Sequence, residues 1–106
     1  MAKNLQTVAR RALTPCAASD AFRFADGASV RDLNDFRHAI ASKSASLVHF
    51  HKDQYGPWLH GILGDPALAR KVERVGQRRS LDNPSYQNEL LAILDERLGK
   101  LRTRVL

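Results

Sequence analysis

The chain has 106 residues, of which 43% are hydrophobic and 26% are charged. This balance is typical of one folded domain and excludes a long disordered chain. No apolar run approaches the roughly 18 to 20 residues that cross a bilayer. The single cysteine, Cys16, cannot form an internal disulfide, so we expect a reducing, cytoplasmic location.

The charge is strongly basic and unevenly distributed. Seventeen Lys and Arg residues against eleven Asp and Glu residues give a formal charge of +6, and twelve of the seventeen are Arg. Residues 70–79 hold five bases against Glu73, residues 97–106 hold four bases and no acid, and residues 81–96 hold four acids and no base. Because the planar guanidinium suits phosphates and carboxylates, this distribution favours an anionic partner.

The first predicted element is a short amphipathic helix from Asn4 to Leu13, which stops before Pro15. Residues 1–19 contain three bases and no acid. A membrane-surface helix or an organelle presequence is therefore an alternative to a helix that packs on the domain. We favour the packed helix, because the segment is short and poor in Ser.

A small hairpin or extended arm follows. Residues 22–24 alternate like a strand, and Asp26-Gly27 is a turn dipeptide because Gly tolerates a positive φ. Ser29 then stands at an N-cap position with Asp32 three residues later, which predicts a helix over residues 30–41.

The central region contains one ambiguous segment and one clear helix. Residues 43–54 fit either a helix, which we favour, or a strand, and Gly56-Pro57 is predicted to interrupt the helix so that Pro57 begins a new turn. Asp65-Pro66 then predicts the start of a helix over residues 67–75, which Gly76 ends.

The last predicted helix covers roughly residues 84–104. One set of its apolar residues follows a 3-4 spacing and forms what we call the leucine seam: Leu91, Leu94, Leu98, Leu101 and Val105. The repeat lasts only two heptads, so the helix either docks on its own domain or also pairs with another copy. The helix has acids in its first half and bases in its second half, so two copies would pair opposite charges if they packed antiparallel. The same order of charges also complements the helix dipole, which explains it without a second copy.

These elements predict a mainly α-helical domain of four or five helices with a short N-terminal hairpin or extended arm and a long C-terminal helix. We divide the chain into a basic N-terminal helix or arm (1–19), a helical core (20–80) and a C-terminal amphipathic helix (81–106). The predicted core consists of Phe24, Leu33, Phe36, Ile40, Leu47, Phe50, Trp58, Ile62, Leu68 and Val72.

Residues 22–75 carry a family resemblance. The residues that carry it are Phe22-Arg-Phe24, Asp26-Gly27, Val30-Arg-Asp-Leu33, Phe36, Ile40, His49, Trp58-Leu59, Gly64-Asp65 and Leu68-Ala69. This order resembles a family of small prokaryotic domains of uncharacterised function, over about half of the chain. The sequence departs from the family pattern at Tyr55-Gly56-Pro57, where Asp-Phe is common. The resemblance implies a mainly helical unit and brings no catalytic residues.

Histidine and cysteine side chains offer two weaker chemical hypotheses. His49, His51 and His60 would reach one metal ion only if residues 47–52 form a strand, because positions i and i+2 of a helix diverge by about 200°. Cys16 would need a neighbouring base to act as a nucleophile, and the sequence places none beside it. We therefore expect no bound metal, no cofactor, no small-molecule substrate and no enzyme activity.

Arginine residues give the clearest candidate surface. On a helix, Arg70, Arg74 and Arg78 are successive i+4 neighbours, with Lys71 and Arg79 beside them. These five cations would bind either nucleic acid or an acidic protein surface, of another copy or of another protein, with the acidic protein surface favoured. We predict a non-catalytic interaction and assembly module that associates with itself through the leucine seam. The alternative is a nucleic-acid-binding protein that uses this Arg face and the basic termini without sequence specificity, since no helix-turn-helix spacing or zinc-finger pattern is present.

Overall fold

The computed structural model describes residues 4–104. In chain order, the elements in this range are α1 (Leu5–Ala12), a 3-10 turn (Ala18–Asp20), β1 (Phe22–Arg23), β2 (Ser29–Val30), α2 (Leu33–Ser42), α3 (Ala45–Phe50), α4 (Lys52–Gly61), α5 (Pro66–Gly76) and α6 (Asn83–Arg102). The predicted fold class is confirmed: the chain is mainly helical, with a short hairpin near its start and a long C-terminal helix. Six helices are present in this range because residues 45–61 form two of them.

The N-terminal helix α1 begins where its sequence predicts. The side chain of Asn4 caps it by accepting a hydrogen bond from the backbone N–H of Gln6 at 2.7 Å. Val8, Ala9 and Ala12 are buried on one face. Through that face α1 packs on α6, so it is part of the domain.

The hairpin forms, but it changes where the next helix starts. Phe22 of β1 lies opposite Val30 of β2 in an antiparallel pair. Ser29 belongs to β2, so its predicted role as an N-cap is wrong. Asp32 caps α2 instead, accepting a hydrogen bond from the N–H of Asp35 at 2.8 Å. The strand pairing extends the chain through residue 30 and delays the helix by about three residues.

Residues 45–61 are helical, and the strand alternative for residues 47–52 is excluded. The break lies at His51 rather than at Gly56-Pro57, and α4 continues through Pro57. The prediction that Pro57 begins a new turn is therefore wrong. Proline removes one backbone N–H from a helix, but here buried Tyr55, Trp58 and Leu59 anchor the turns on both sides.

The core is centred on aromatic rings. The Phe22 ring lies 5.0 Å from that of Phe24, 5.3 Å from Tyr55 and 5.7 Å from Trp58, measured between centroids. The indole N–H of Trp58 donates to the carbonyl of Asp20 at 2.8 Å. Trp58 is therefore a core residue, as predicted, and its indole N–H is hydrogen-bonded to the segment just before the hairpin.

Seven of the predicted core residues are buried: Phe24, Leu33, Phe36, Ile40, Trp58, Leu68 and Val72. Leu47 and Ile62 are only partly buried. Phe50 is 71% exposed, so its assignment to the core is wrong. The residue that α3 buries is Val48, and a position two residues further along a helix points about 200° away.

Helix α6 is a central element of this core. It packs on α1, α2, α3 and α5, and its buried residues are Tyr86, Leu90, Leu94, Leu98 and Leu101. The side chain of Asp82 caps it by accepting from the N–H of Ser85 at 2.8 Å. The three segments proposed from sequence thus contribute to one continuous apolar cluster.

Candidate polyanion-binding surface

The candidate surface is built on α5, whose start is fixed by local chemistry. Asp65 caps the helix by accepting from the N–H of Leu68 at 3.1 Å, and Pro66 occupies the first turn. The apolar side of the helix is buried at Leu68, Ala69, Val72 and Val75. The predicted helix is thus confirmed, and burial of this side turns the intervening positions toward solvent.

Arg70, Lys71 and Arg74 are the exposed cations of α5. Residues 70 and 74 are four apart, so their side chains lie on one ridge with a rise of about 6 Å between them. Among the described residues, none of the three forms a hydrogen bond or an ion pair with a protein group. Arg37 and Arg97, by contrast, each bind a carboxylate.

The carboxylate of Glu73, the only acid of α5, is directed toward α4. It sits over Gly56 of α4, so close that a Cβ at residue 56 would overlap its carboxylate. Glu73 also lines a small cleft with Lys52 and Asp53. Among the described residues, this carboxylate forms no ion pair with Arg70 or Arg74.

The predicted ridge does not extend to Arg78 in helical geometry. α5 ends at Gly76, with Gln77 as its C-cap, and Arg78 lies in the link to α6. Arg78 is 3.6 Å from Glu89 of α6, an ion pair in which both side chains are about half exposed. Arg79 is exposed and lies beside it. All five predicted cations thus lie on the surface, three on α5 and two at its end.

A buried ion pair holds this surface in place. The guanidinium of Arg97 in α6 donates two hydrogen bonds to the carboxylate of Asp65, both at 2.8 Å. The Asp65 side chain is 1% exposed and the Arg97 side chain is 12% exposed. The residue that caps α5 is therefore also bound to α6, which fixes the orientation of the helix.

Three residues of the leucine seam are buried in the core of the chain. Leu94, Leu98 and Leu101 are buried within the chain itself, and Leu91 is partly buried against the same core. Val105 lies outside the described residues. These leucines thus pack on their own domain, which was one of the two alternatives, and self-association through the seam stays a prediction. A contact with a second copy through them would require α6 to leave the core.

The charges of α6 are also used within the chain. Asp95 accepts two hydrogen bonds from the guanidinium of Arg37, at 2.8 and 3.2 Å. Glu96 and Lys100 pair along the helix at 3.3 Å. These carboxylates therefore neutralise bases of the same chain, and not the cations of α5.

The histidines do not converge. His49 and His51 lie in or beside the helix α3, so the strand on which the metal hypothesis depended does not form. The buried His51 ring accepts a hydrogen bond from the N–H of Ala25 through Nε2 at 3.0 Å, and its Nδ1 faces the side-chain oxygen of Gln54. Within residues 4–104, no three metal-ligand side chains come together. His51 holds the hairpin turn against α4.

Cys16 lines a cleft of about 530 Å³ between α1 and the segment before the hairpin. Burial raises the pKa of the thiol, and Asp20 raises it further. Because the thiolate is the reactive form, this environment opposes a nucleophilic role. Arg11 in the same cleft donates to the backbone carbonyls of Gly61 and Ile62 at 2.9 and 3.0 Å, which joins α1 to the end of α4.

Sequence reasoning missed two basic neighbours of Arg78 and Arg79. Lys52 and His49 line the same cleft as these arginines, together with Tyr86. His49 and Lys52 lie more than 20 residues before Arg78 in the chain, and no periodic pattern connects the two segments. In the sequence, the only indication of a binding site here was the basic link that contains Arg78 and Arg79.

Comparisons with protein-family models, curated proteins and solved structures find no match to this chain. The resemblance of residues 22–75 to a family of small domains therefore stays a prediction. None of the helices in residues 4–104 has the length and apolarity that a bilayer crossing requires. Function must be inferred from the chemistry of the surface.

Proposed function

We propose that this protein is a non-catalytic module that binds the phosphate backbone of nucleic acid, without sequence specificity, through Arg70, Lys71, Arg74, Arg78 and Arg79. The observation that carries the proposal is that the three α5 cations are exposed and have no protein partner among the described residues. Several other bases, by contrast, bind carboxylates or carbonyls of the chain, among them Arg11, Arg37 and Arg97. Unpartnered arginines on a rigid, core-packed helix are suited to an external anion.

Phosphate is favoured over the carboxylates of a partner protein for a geometric reason. The α5 cations repeat along one helix with a rise of about 6 Å, and a nucleic-acid backbone offers a regular row of like charges. The guanidinium fork matches phosphate oxygens in pairs. These contacts position a backbone and do not read bases, so we expect little preference among sequences.

The test is a titration of labelled duplex and single-stranded oligonucleotides at about 50 and about 200 mM salt, followed by fluorescence anisotropy. If five phosphates are neutralised, the affinity for duplex should fall roughly 500-fold between these conditions, from a slope of about −0.9 per phosphate in log–log form. Scrambling the oligonucleotide sequence should change the affinity less than about threefold.

Variants locate the contact. Arg70→Glu with Arg74→Glu should abolish measurable binding at about 200 mM salt and reduce the salt slope by about 2. The matched control is Arg10→Glu with Arg23→Glu, which changes the net charge equally on α1 and β1, where both side chains are exposed. Equal losses in the two double variants would show that net charge alone attracts the oligonucleotide. No binding at low salt would refute the proposal.

A further inference from the structure

A buried histidine connects the hairpin turn to the helices. His51 lies at the junction of α3 and α4 and is 4% exposed. Its Nε2 accepts a hydrogen bond from the backbone N–H of Ala25 at 3.0 Å. Its Nδ1 lies within hydrogen-bond distance of the side-chain oxygen of Gln54. Both ring nitrogens are therefore used, one toward the hairpin and one toward α4.

The partner of Nε2 fixes the protonation state of the ring. A backbone N–H can only donate, so Nε2 must carry a lone pair while the hairpin is closed. The proton of the neutral ring then lies on Nδ1, where the oxygen of Gln54 accepts it. A protonated imidazole donates from both nitrogens and accepts at neither. A second proton would thus set two N–H groups against each other and remove the hydrogen bond from Ala25.

The surroundings of the ring offer no other partner for a second N–H. Three phenylalanine rings pack against it with centroids 4.9 to 5.7 Å away: Phe22, Phe24 and Phe50. None of them carries an oxygen or nitrogen acceptor. Among the described residues, no carboxylate lies within ion-pair distance of the His51 ring. Protonation of the closed form would therefore leave a buried N–H without a partner, which destabilises it.

The charged groups near this contact keep their state over the relevant pH range. Asp26 follows Ala25 in the turn, and its carboxylate accepts a hydrogen bond from Lys43 at 2.6 Å. That hydrogen bond lowers the pKa of Asp26, so the carboxylate stays ionised at about pH 5. The other titratable residues on the adjoining elements are Arg23 on β1, His49 on α3, and Lys52, Asp53 and Tyr55 on α4. His49 is directed to α6, where its ring packs on Tyr86.

The hairpin is small enough to open without the rest of the domain. β1 and β2 have two residues each and pair with one another. Helix α4 packs on α5 and α5 packs on α6, so these helices have contacts that do not involve the hairpin. Segments with little packing of their own open at a lower free energy than the whole domain. The hydrogen bond between Ala25 and His51 is thus well placed to control a local opening.

We propose that the contact between His51 and Ala25 is a pH-sensitive switch of the hairpin. The neutral ring holds residues 22–30 closed, and protonation releases the turn at Ala25 and exposes Phe24. Because the open form takes up a proton that the closed form excludes, a fall in pH shifts the population toward the open hairpin. Histidine in water binds its proton near pH 6.5, so the change lies between about pH 7.5 and about pH 5. The switch does not depend on nucleic-acid binding.

The test is hydrogen exchange of the Ala25 N–H, followed by NMR on the full chain from about pH 7.5 to about pH 5. Protection is expressed relative to an unstructured peptide at the same pH, which removes the intrinsic pH dependence of exchange. If opening takes up one proton, protection should fall about 30-fold over this range. In His51→Gln, whose side-chain oxygen accepts at every pH, protection should change less than about threefold. The matched control is His60→Gln on α4, an exposed position that should keep the full pH dependence.

A second measurement requires no variant. Nitrogen-15 shifts of the His51 ring report which nitrogen carries the proton at about pH 7.5, and we expect Nδ1 protonated and Nε2 unprotonated. A proton on Nε2 at that pH would contradict the hydrogen bond on which the switch depends. Protection of the Ala25 N–H that stays constant between about pH 7.5 and about pH 5 would also overturn the proposal.

Low concentrations of urea separate release of the hairpin from unfolding of the domain. Local release exposes little surface, so about 1 M urea should change protection of the Ala25 N–H much less than protection of the Leu94 N–H in α6. Equal protection of these two N–H groups at every urea concentration would show that the hairpin opens only with the whole domain, and the proposed switch would then be wrong.

Discussion

The buried pair of Asp65 and Arg97 allows a quantitative prediction about what orients α5. Replacing Arg97 with Met keeps the length of the side chain and removes its charge, which leaves the carboxylate of Asp65 buried without a cation. That carboxylate is 1% exposed and cannot reach solvent without breaking the N-cap of α5. Removing one partner of a buried pair costs about 3–5 kcal/mol. Domains of this size are stable by only about 5–15 kcal/mol, so Arg97→Met should be severely destabilised.

The reverse substitution should cost less. In Asp65→Asn the remaining charge is on Arg97, whose side chain is already 12% exposed and long enough to turn toward water. Asparagine also caps helices about as well as aspartate, so α5 keeps its start. We expect a loss of about 1–3 kcal/mol. The double variant should be more stable than Arg97→Met alone, because neither ion is then left buried and unpaired.

Urea denaturation measures these differences. Trp58 is the only tryptophan and is buried, so its fluorescence follows global unfolding, and circular dichroism follows the helices. With a slope of about 2 kcal/mol per molar, a loss of 3–5 kcal/mol lowers the urea midpoint by about 1.5–2.5 M in Arg97→Met. A loss below about 1 kcal/mol, or a double variant no more stable than Arg97→Met, would refute the view that the unpaired carboxylate dominates.

Two further predictions concern stability. Leu94→Ala should lower the free energy of unfolding by about 2–5 kcal/mol and leave the sedimentation of the folded chain unchanged, because Leu94 is fully buried in its own domain; a changed oligomeric state at unchanged stability would contradict this burial. The hydrogen bond from Lys43 lowers the pKa of Asp26, and the hydrogen bond from the N–H of Ala28 lowers it further. The ionised carboxylate of Asp26 therefore stabilises the fold above the ordinary Asp pKa, and this stabilisation is lost as the pH falls through the lowered pKa. Urea midpoints of the natural chain and Asp26→Asn should therefore differ at about pH 5, and the difference should shrink as the pH falls below the ordinary Asp pKa.

The parts of the fold that could be predicted are those set by local chemistry. Asp65-Pro66 combines a side chain that caps a helix with a residue that starts one, and the structure uses both. Asp26-Gly27 forms the hairpin turn, where Gly27 has a φ of +92°. In each case the deciding hydrogen bond or dihedral angle lies within three residues of the signal.

Contacts between distant segments account for the errors. Ser29 and Asp32 are both good N-caps, and the choice between them was made by the pairing of Val30 with Phe22, which no local pattern records. Phe50 fits a helical stripe, but α3 is too short to bury more than the side on which Val48 lies. Periodicity indicates which residues share a face of a helix, but it does not indicate how much of that face the neighbouring elements cover.

The candidate site, like the fold, could be predicted from the sequence only in part. The exposure of Arg70 and Arg74 follows from the burial of the opposite side of α5, and a sequence pattern contains that information. The cleft does not follow, since Lys52, Arg78 and Tyr86 come from three elements that only the packed fold brings together.

The burial of α6 decides which of the two predicted functions is proposed. A leucine seam reads identically in sequence whether it faces a second copy or its own domain, because the same spacing serves both. Exposing Leu94, Leu98 and Leu101 to a partner would first remove them from the core. Each buried leucine contributes about 1.5–3 kcal/mol, so the three together represent about 4.5–9 kcal/mol. That sum is comparable with the whole stability of a small domain, about 5–15 kcal/mol. Pairing through the seam would therefore compete with folding itself, whereas the cations of α5 can bind a partner without any rearrangement.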